Sequence, residues 1–203
     1  MIDDQTLQRI VEFHGHMCPG LAMGIQVGQV ATKEVGRNTR ENPVLAVVET
    51  NLCPLDGIQY TTGCTMGMHA IVLRQWGKMG FSFYALKERR AIRVTPKPGA
   101  FEADPDYAEH TALMAKTRSG QATPEDQARF RELHLARSHR ALEADPYDMW
   151  VVDEVEFAPP PIIQGHADQT CDACGEGVVE DCTRRHGGRT LCIPCFKGAL
   201  AAA

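Results

Sequence analysis

Apolar residues in the first part of the chain follow two periods, and the changes between them outline the elements. Across residues 3–13, Leu7, Ile10 and Val11 recur near helical spacing, with Asp3 or Asp4 placed as an N-cap. A short loop, His14-Gly15-His16-Met17-Cys18, follows, and Pro19 sits where a first helical residue tolerates proline. Residues 20–35 are rich in Ala, Gly, Met, Ile and Val and predict a second helix closing at Gly36. Gly24 and Gly28 lower its intrinsic propensity, which makes sense if another backbone packs closely against it. Residues 43–49 form a short β-branched run and predict a buried strand. A short helix is expected next, capped by Asp56 and ended by Gly63.

Residues 81–86 and 91–95 predict two strands joined by a polar turn at 87–90. After the break at Pro96-Lys97-Pro98-Gly99, helices are expected over 106–117 and 124–142. Thr123-Pro124-Glu125-Asp126 is a strong helix start, with a capping threonine, proline at the first position and acids in the first turn. Residues 147–155 give one more strand, with Trp150, Val151 and Val152 as its apolar part. Ala158-Pro159-Pro160-Pro161 reads as a linker, which divides the chain into a core at 1–157, a linker at 158–167 and a small domain at 168–203. No internal repeat is seen.

Composition narrows the partners and the compartment. With 203 residues and a hydrophobic fraction of 43%, the chain can bury a core of ordinary size. A formal net charge of -5 gives no global attraction to nucleic acid or anionic membrane. No run approaches the roughly 18 apolar residues of a membrane span. The acidic start Met1-Ile2-Asp3-Asp4-Gln5 lacks the basic and apolar regions of a signal peptide, so a cytoplasmic location is expected. There the eight cysteines stay reduced and favour metal binding or thiol chemistry over structural disulfides.

Cys171-x-x-Cys174 and Cys192-x-x-Cys195 are separated by 17 residues, a spacing that reads as a zinc site. Two residues between thiolates allow a tight turn that points both sulfurs at one tetrahedral ion. Short strands at 178–179 and 189–191, a turn at Gly187-Gly188 and a terminal helix over 196–203 follow in the order of a treble-clef finger. A tail this small cannot build a stable apolar core, and zinc supplies roughly 10–16 kcal/mol in finger peptides. Four thiolates close the coordination sphere, so the ion is structural. Cys182 and His186 are the competing ligands between the pairs. The tail carries Arg184, Arg185, Arg189 and Lys197 beside Asp172, Glu176, Glu180 and Asp181, a mixed charge that argues against a nucleic-acid stripe.

The loop at the other end carries different chemistry. His14, His16 and Cys18 alternate, so in extended backbone they face one side. Taken singly, each suits a hydrogen-bonded or packed core position. Together, beside Gly15 and Pro19, they suit a transition metal or thiol redox chemistry. The helix that begins at Pro19 is expected to lower the Cys18 pKa. Cys53 and Cys64, each in a turn rich in Gly, Pro or Thr, strengthen the cluster.

His14-Gly15-His16-Met17-Cys18-Pro19-Gly20, Cys53-Pro54-Leu55-Asp56-Gly57-Ile58-Gln59, Thr62-Gly63-Cys64-Thr65 and Gly77-Lys78, in that order, resemble the FmdE family, named for the FmdE component of formylmethanofuran dehydrogenase. The likeness runs over residues 1–95, and the helical segment and finger resemble its two-domain members. It implies an α+β fold: a thioredoxin-like core with a five-stranded mixed sheet flanked by helices, followed by a treble clef. It also implies a pocket that can hold zinc, and dimers. Carried over residue by residue, it marks His16, Cys18, Cys53 and Cys64 as pocket residues and candidate ligands of a second metal. His14, Asp56, Gln59 and Thr65 stand behind them. Gly57 replaces a commoner alanine, with little expected effect.

Two functions fit. The first is a non-enzymatic protein that holds a metal or cofactor for a molybdenum or tungsten oxidoreductase, with the finger contacting that partner. The second is a zinc-dependent or thiol-redox enzyme, with Glu49 or Asp56 as base and Cys18 and Cys53 as the redox pair. The core contains no Cys-x-x-Cys, which weakens the redox version.

Overall fold

The computed structural model describes residues 2–162 and 165–201, which fall into two compact units, Met1–Pro160 and Pro161–Ala203. Residues 163 and 164 of the expected linker, and 202 and 203 of the expected terminal helix, lie outside the described residues.

In the first unit, α1 (Asp4–His14) starts where the Asp3 carboxylate accepts the Thr6 N–H at 2.9 Å and stops at left-handed Gly15 (φ 96°). Helix α2 (Pro19–Val35) has Cys18 as its N-cap and is buried along most of its circumference. That explains its apolar, glycine-rich sequence, because an all-round apolar helix needs partners on every side. Strand β1 (Val44–Val48) is wholly buried, and α3 (Pro54–Thr62) crosses from it to β2 (Ile71–Leu73). Strands β3 (Phe81–Ala85) and β4 (Arg90–Pro96) form the hairpin expected from the alternation. Helices α4 (Tyr107–Arg118) and α5 (Pro124–Glu143) form a hairpin, then α6 (Pro146–Met149) leads into β5 (Trp150–Glu154).

The five strands run in the order β2-β1-β3-β4-β5, parallel between β1 and β2 and antiparallel elsewhere. The mixed, helix-flanked sheet implied by the resemblance is present. Phe81, Phe83, Ile92, Val94 and Trp150 build its core against Val27, Val30 and Ala31 of α2. Gln26, fully buried in α2, accepts the Trp150 indole N–H at 3.1 Å and donates to the Ala141 carbonyl. One satisfied side chain therefore ties α2 to β5 and α5.

Three local expectations are corrected. Asp56 does not cap α3; Cys53 occupies that position, and Asp56 stands in the first turn. The last strand begins only at Trp150, because Asp145 accepts the Tyr147 N–H at 2.9 Å and, with Pro146, starts a helical turn. Strand β2 is missing from the residue reading, since three residues are too few to display a period.

Gly57 also matters more than expected. A Cβ there would lie 2.7 Å from Ile25 N and 2.8 Å from the Leu21 carbonyl oxygen. Helices α2 and α3 touch backbone to backbone, so no side chain can turn aside to make room.

In the second unit, β6 (Gln169–Thr170) pairs with β7 (Gly177–Val178). A short 3-10 turn then precedes the hairpin of β8 (Thr183–His186) and β9 (Arg189–Cys192). Gly187 (φ 55°) and Gly188 (φ 78°) make its two-residue turn, which needs positive φ at both positions. Helix α7 (Ile193–Ala201) ends the described chain.

Candidate functional site

Two groups of metal-competent side chains occur among the described residues: Cys171, Cys174, Cys192 and Cys195 in the second unit, and His14, His16 and Cys18 in the first. In each group the donor atoms all lie within 4.8 Å of one another.

The cysteine quartet arises from two turns. Cys171 follows β6, and the chain folds back at Gly175 (φ 76°), whose N–H reaches the Cys171 carbonyl at 2.9 Å. Cys192 ends β9 and Cys195 lies in the first turn of α7. Sulfurs around a tetrahedral zinc at about 2.3 Å stand roughly 3.8 Å apart. Cys174 and Cys192 are 3.9 Å apart, so the donor set fits. Backbone N–H groups of Cys174, Cys192 and Ala173 bring the Cys171 thiol down to about 6, while Cys192 and Cys174 push Cys195 up to about 12. Without a cation the four sulfurs compete for protons, and a bound ion removes that competition. Cys182 and His186 lie outside the group: Cys182 ends the 3-10 turn, and the His186 ring packs edge-on against Phe196.

In the core, α1 ends at His14 and α2 begins after Cys18, so the loop between two helices carries all three donors. The His14 Nε2 lies 3.7 Å from Cys18 Sγ, a separation two ligands of one ion can share. Its other nitrogen, Nδ1, is 2.7 Å from Asp56 Oδ2 on α3. A carboxylate behind a histidine in this way is the arrangement that orients and strengthens a zinc-bound imidazole. Gln59 holds the carboxylate in turn, donating to Asp56 Oδ1 at 3.3 Å and accepting the Met66 N–H at 3.3 Å. The His16 ring packs against His14 with centroids 4.8 Å apart. Because α3 leaves the carboxyl end of β1, Asp56 and Cys53 sit where open sheets commonly bind ligands.

Cys53 packs in the same apolar cluster as Cys18, near enough for its charge and hydrogen bonding to raise the Cys18 pKa, yet it lies outside the three-donor group. Cys64 is not there at all. It and Cys53 lie at opposite ends of α3, roughly 15 Å apart at 1.5 Å rise per residue. Its thiol points to the Val44 carbonyl at 3.4 Å inside the sheet core, and burial pushes its pKa up to about 11. Neighbouring Thr65 belongs to the turn that follows, its carbonyl accepting the Ala70 N–H at 3.1 Å.

Two chemical expectations change. Cys18 does receive the Leu21 N–H at the start of α2, which lowers its pKa. Burial and Cys53 outweigh that effect and bring the thiol up to about 11. Glu49 is an unsuitable base, because Arg93 grips it with two hydrogen bonds of 2.7 and 2.9 Å and holds its pKa below 4.5. Its depressed pKa means the pair stabilises the fold above pH 4.5 and is lost as acid protonates Glu49 through its lower folded value. Urea unfolding of Glu49→Gln should therefore show a weaker loss of stability on acidification than the parent.

Reading by sequence missed a polar cluster on the helical hairpin. His110 of α4 and His134 and Arg137 of α5 form a hydrogen-bonded chain, with Phe130 stacked on His110 at 5.0 Å. The signal was a histidine and an arginine three residues apart, on the face that also buries Leu133, Ser138 and Ala141.

The family model described as "FmdE, Molybdenum formylmethanofuran dehydrogenase operon" matches residues 13–150. The chain belongs to the FmdE family. A crystal structure of an FmdE-like protein of tungsten formylmethanofuran dehydrogenase, from Syntrophus aciditrophicus, shares the fold, with a TM-score of 0.60 and 23% identity. That likeness covers 97% of this chain and 92% of the other. A probable S-adenosyl-L-methionine-binding protein of Archaeoglobus fulgidus is 29% identical over 199 residues, 94% of this chain. The chain spans about half, 52%, of that relative, whose name describes the whole of it. Among the described residues, no helix is long and apolar enough to cross a membrane.

Proposed function

We propose that this protein is a metal-binding accessory of a molybdenum or tungsten oxidoreductase of the formylmethanofuran dehydrogenase type, acting in the cytoplasm as a homodimer. The observation that carries the metal role is the three-donor group of His14, His16 and Cys18, with Asp56 hydrogen-bonded behind His14. The oxidoreductase partnership rests on the operon named in the family description. Exposed Met66 and Met68, on the turn that Gln59 anchors, offer apolar surface for a second copy.

Three protein donors leave room on a zinc-like ion for a further ligand, and such an ion would supply Lewis-acid character there. The chain's own part is to fix His14 through Asp56 and Gln59, while Cys53 packs in the apolar cluster with Cys18. The second unit is read as a treble-clef finger with a structural zinc, because a knuckle, a hairpin and a helix carry its four cysteines in that order.

Asp56→Asn should weaken zinc affinity at the core about 10- to 100-fold. Competition against a chromophoric chelator measures the affinity, and a variant that binds as tightly as the parent would remove this support. The second reading, a zinc-dependent or thiol-redox enzyme, draws on the closeness of Cys53 to Cys18. A reversible two-electron thiol titration of the metal-free core, lost in Cys53→Ser, would favour it.

A further inference from the structure

A cavity of about 780 Å³ in the core unit shares no lining residue with the loop of His14, His16 and Cys18. Its volume falls within the roughly 300–1,000 Å³ of small-molecule sites. Helix α2 supplies Val30 and Lys33 to its wall, α3 supplies Tyr60 and Thr61, and α5 and α6 supply Leu142 and Tyr147. Val30 is buried in the sheet cluster, and Tyr147 packs half-buried against it. Tyr60 and Leu142 pack half-buried against the second cluster, that of Ile10, Leu21 and Ile25. Both apolar clusters of the unit therefore reach this cavity, and neither fills it. Apolar surface left against water in this way is what a ligand with an apolar body would cover.

Two cations are held at the same wall. The Lys33 Nζ lies 4.5 Å from the centre of the Tyr147 ring, a cation–π contact. The Arg37 guanidinium donates to the Thr61 carbonyl, and its remaining N–H groups have no partner among the described residues. Lys33 stands in the last turn of α2 and Arg37 reaches the last turn of α3, so helix carbonyls draw both to this end. Neither forms an ion pair among the described residues, and Glu34, next to Lys33, is engaged by Arg90 at 3.4 Å and by the Tyr147 hydroxyl at 2.8 Å. Glu143 and Asp145 also line the cavity. Asp145 accepts the Tyr147 N–H at 2.9 Å to start α6, and no hydrogen bond or ion pair among the described residues fixes exposed Glu143. The fixed charges offered to a ligand are therefore positive.

We propose that this cavity binds an organic anion with an apolar or aromatic body. Lys33 and Arg37 hold the anionic group, and the body lies against Tyr60, Leu142 and Tyr147. The free N–H groups of Arg37 suit the oxygens of a carboxylate, sulfonate or phosphate. A small inorganic anion would leave the apolar walls uncovered, and a neutral apolar molecule would leave both cations unanswered. The ligand combines the two chemistries. This site stands apart from the metal reading above and does not depend on it.

Anilinonaphthalene sulfonate, an apolar aromatic body with one negative charge, serves as the probe, titrated by its fluorescence against the full chain. Phenylnaphthylamine, the same body without the sulfonate, is its neutral twin. The parent should bind the sulfonate saturably, and the neutral dye should displace it. Lys33→Gln combined with Arg37→Gln should weaken sulfonate binding about tenfold or more and leave the neutral dye as in the parent. Added salt should weaken the sulfonate in the parent more than in the double variant. Equal sulfonate affinity in the double variant would overturn the role of the two cations. Loss of both dyes would make the pair structural, and a neutral dye that fails to compete would place the anion elsewhere. Either result overturns the assignment, as does a parent that binds neither dye.

Discussion

Replacing Cys171 by serine is expected to unfold the second unit while the first keeps its stability. Cys171 is 1% exposed, and its sulfur also accepts the Cys192 N–H at 3.3 Å, so it joins the first turn to the end of β9. Leu191 is shielded as fully, packed with Val178, Phe196 and Ala199. That cluster cannot meet the conformational entropy of some forty ordered residues, at about 1–2 kcal/mol each. An ion that contributes on the order of 10–16 kcal/mol in finger peptides makes the difference. Limited proteolysis should show cleavage beyond Pro161 in Cys171→Ser, and in the parent after chelation, with residues 1–160 left intact. A tail that stays resistant in both would mean that something other than the quartet holds it.

The second large effect is expected at Gly24. A Cβ at this position would overlap the Pro54 carbonyl oxygen and come within 2.6 Å of Pro54 Cα, so the obstacle is backbone. Overpacking of this kind costs about 1–3 kcal/mol, and occasionally more where nothing can shift. Gly24→Ala should lie at the upper end, near 3 kcal/mol by urea denaturation. It should also weaken metal binding in the core, because α2 follows Cys18 and α3 carries Asp56. Near-parental stability would mean that the two helices are not pressed together as described. Gly57→Ala presses on the same contact from the other side, against the Leu21 carbonyl and Ile25 N–H.

What the residues revealed in advance follows from how local each signal is. Helix starts at Pro19 and Pro124 and stops at Gly36 and Gly63 were legible, because capping depends on a few adjacent residues. The cysteine quartet was legible because its spacing constrains the turn itself. Strand β2 was not, since three residues beside a wholly buried β1 owe their form to pairing across the sheet. Cys64 looked like a pocket residue because it closes a motif, but one helix length separates it from Cys53. The reverse error occurred at His14, which ranked behind His16 until the fold brought Asp56 to its second nitrogen from 42 residues away. The link between His110 and His134 crosses 24 residues and two helices, a pairing no local pattern specifies.

Elemental analysis of the purified full chain, beside Cys18→Ser and Cys171→Ser, tests the core metal site most directly. Two ions per chain are expected in the parent, one in each variant, and the ion that remains in Cys171→Ser should vanish when Cys18→Ser is added. A Cys18→Ser protein that keeps the parent's full complement would contradict a metal centre at His14, His16 and Cys18.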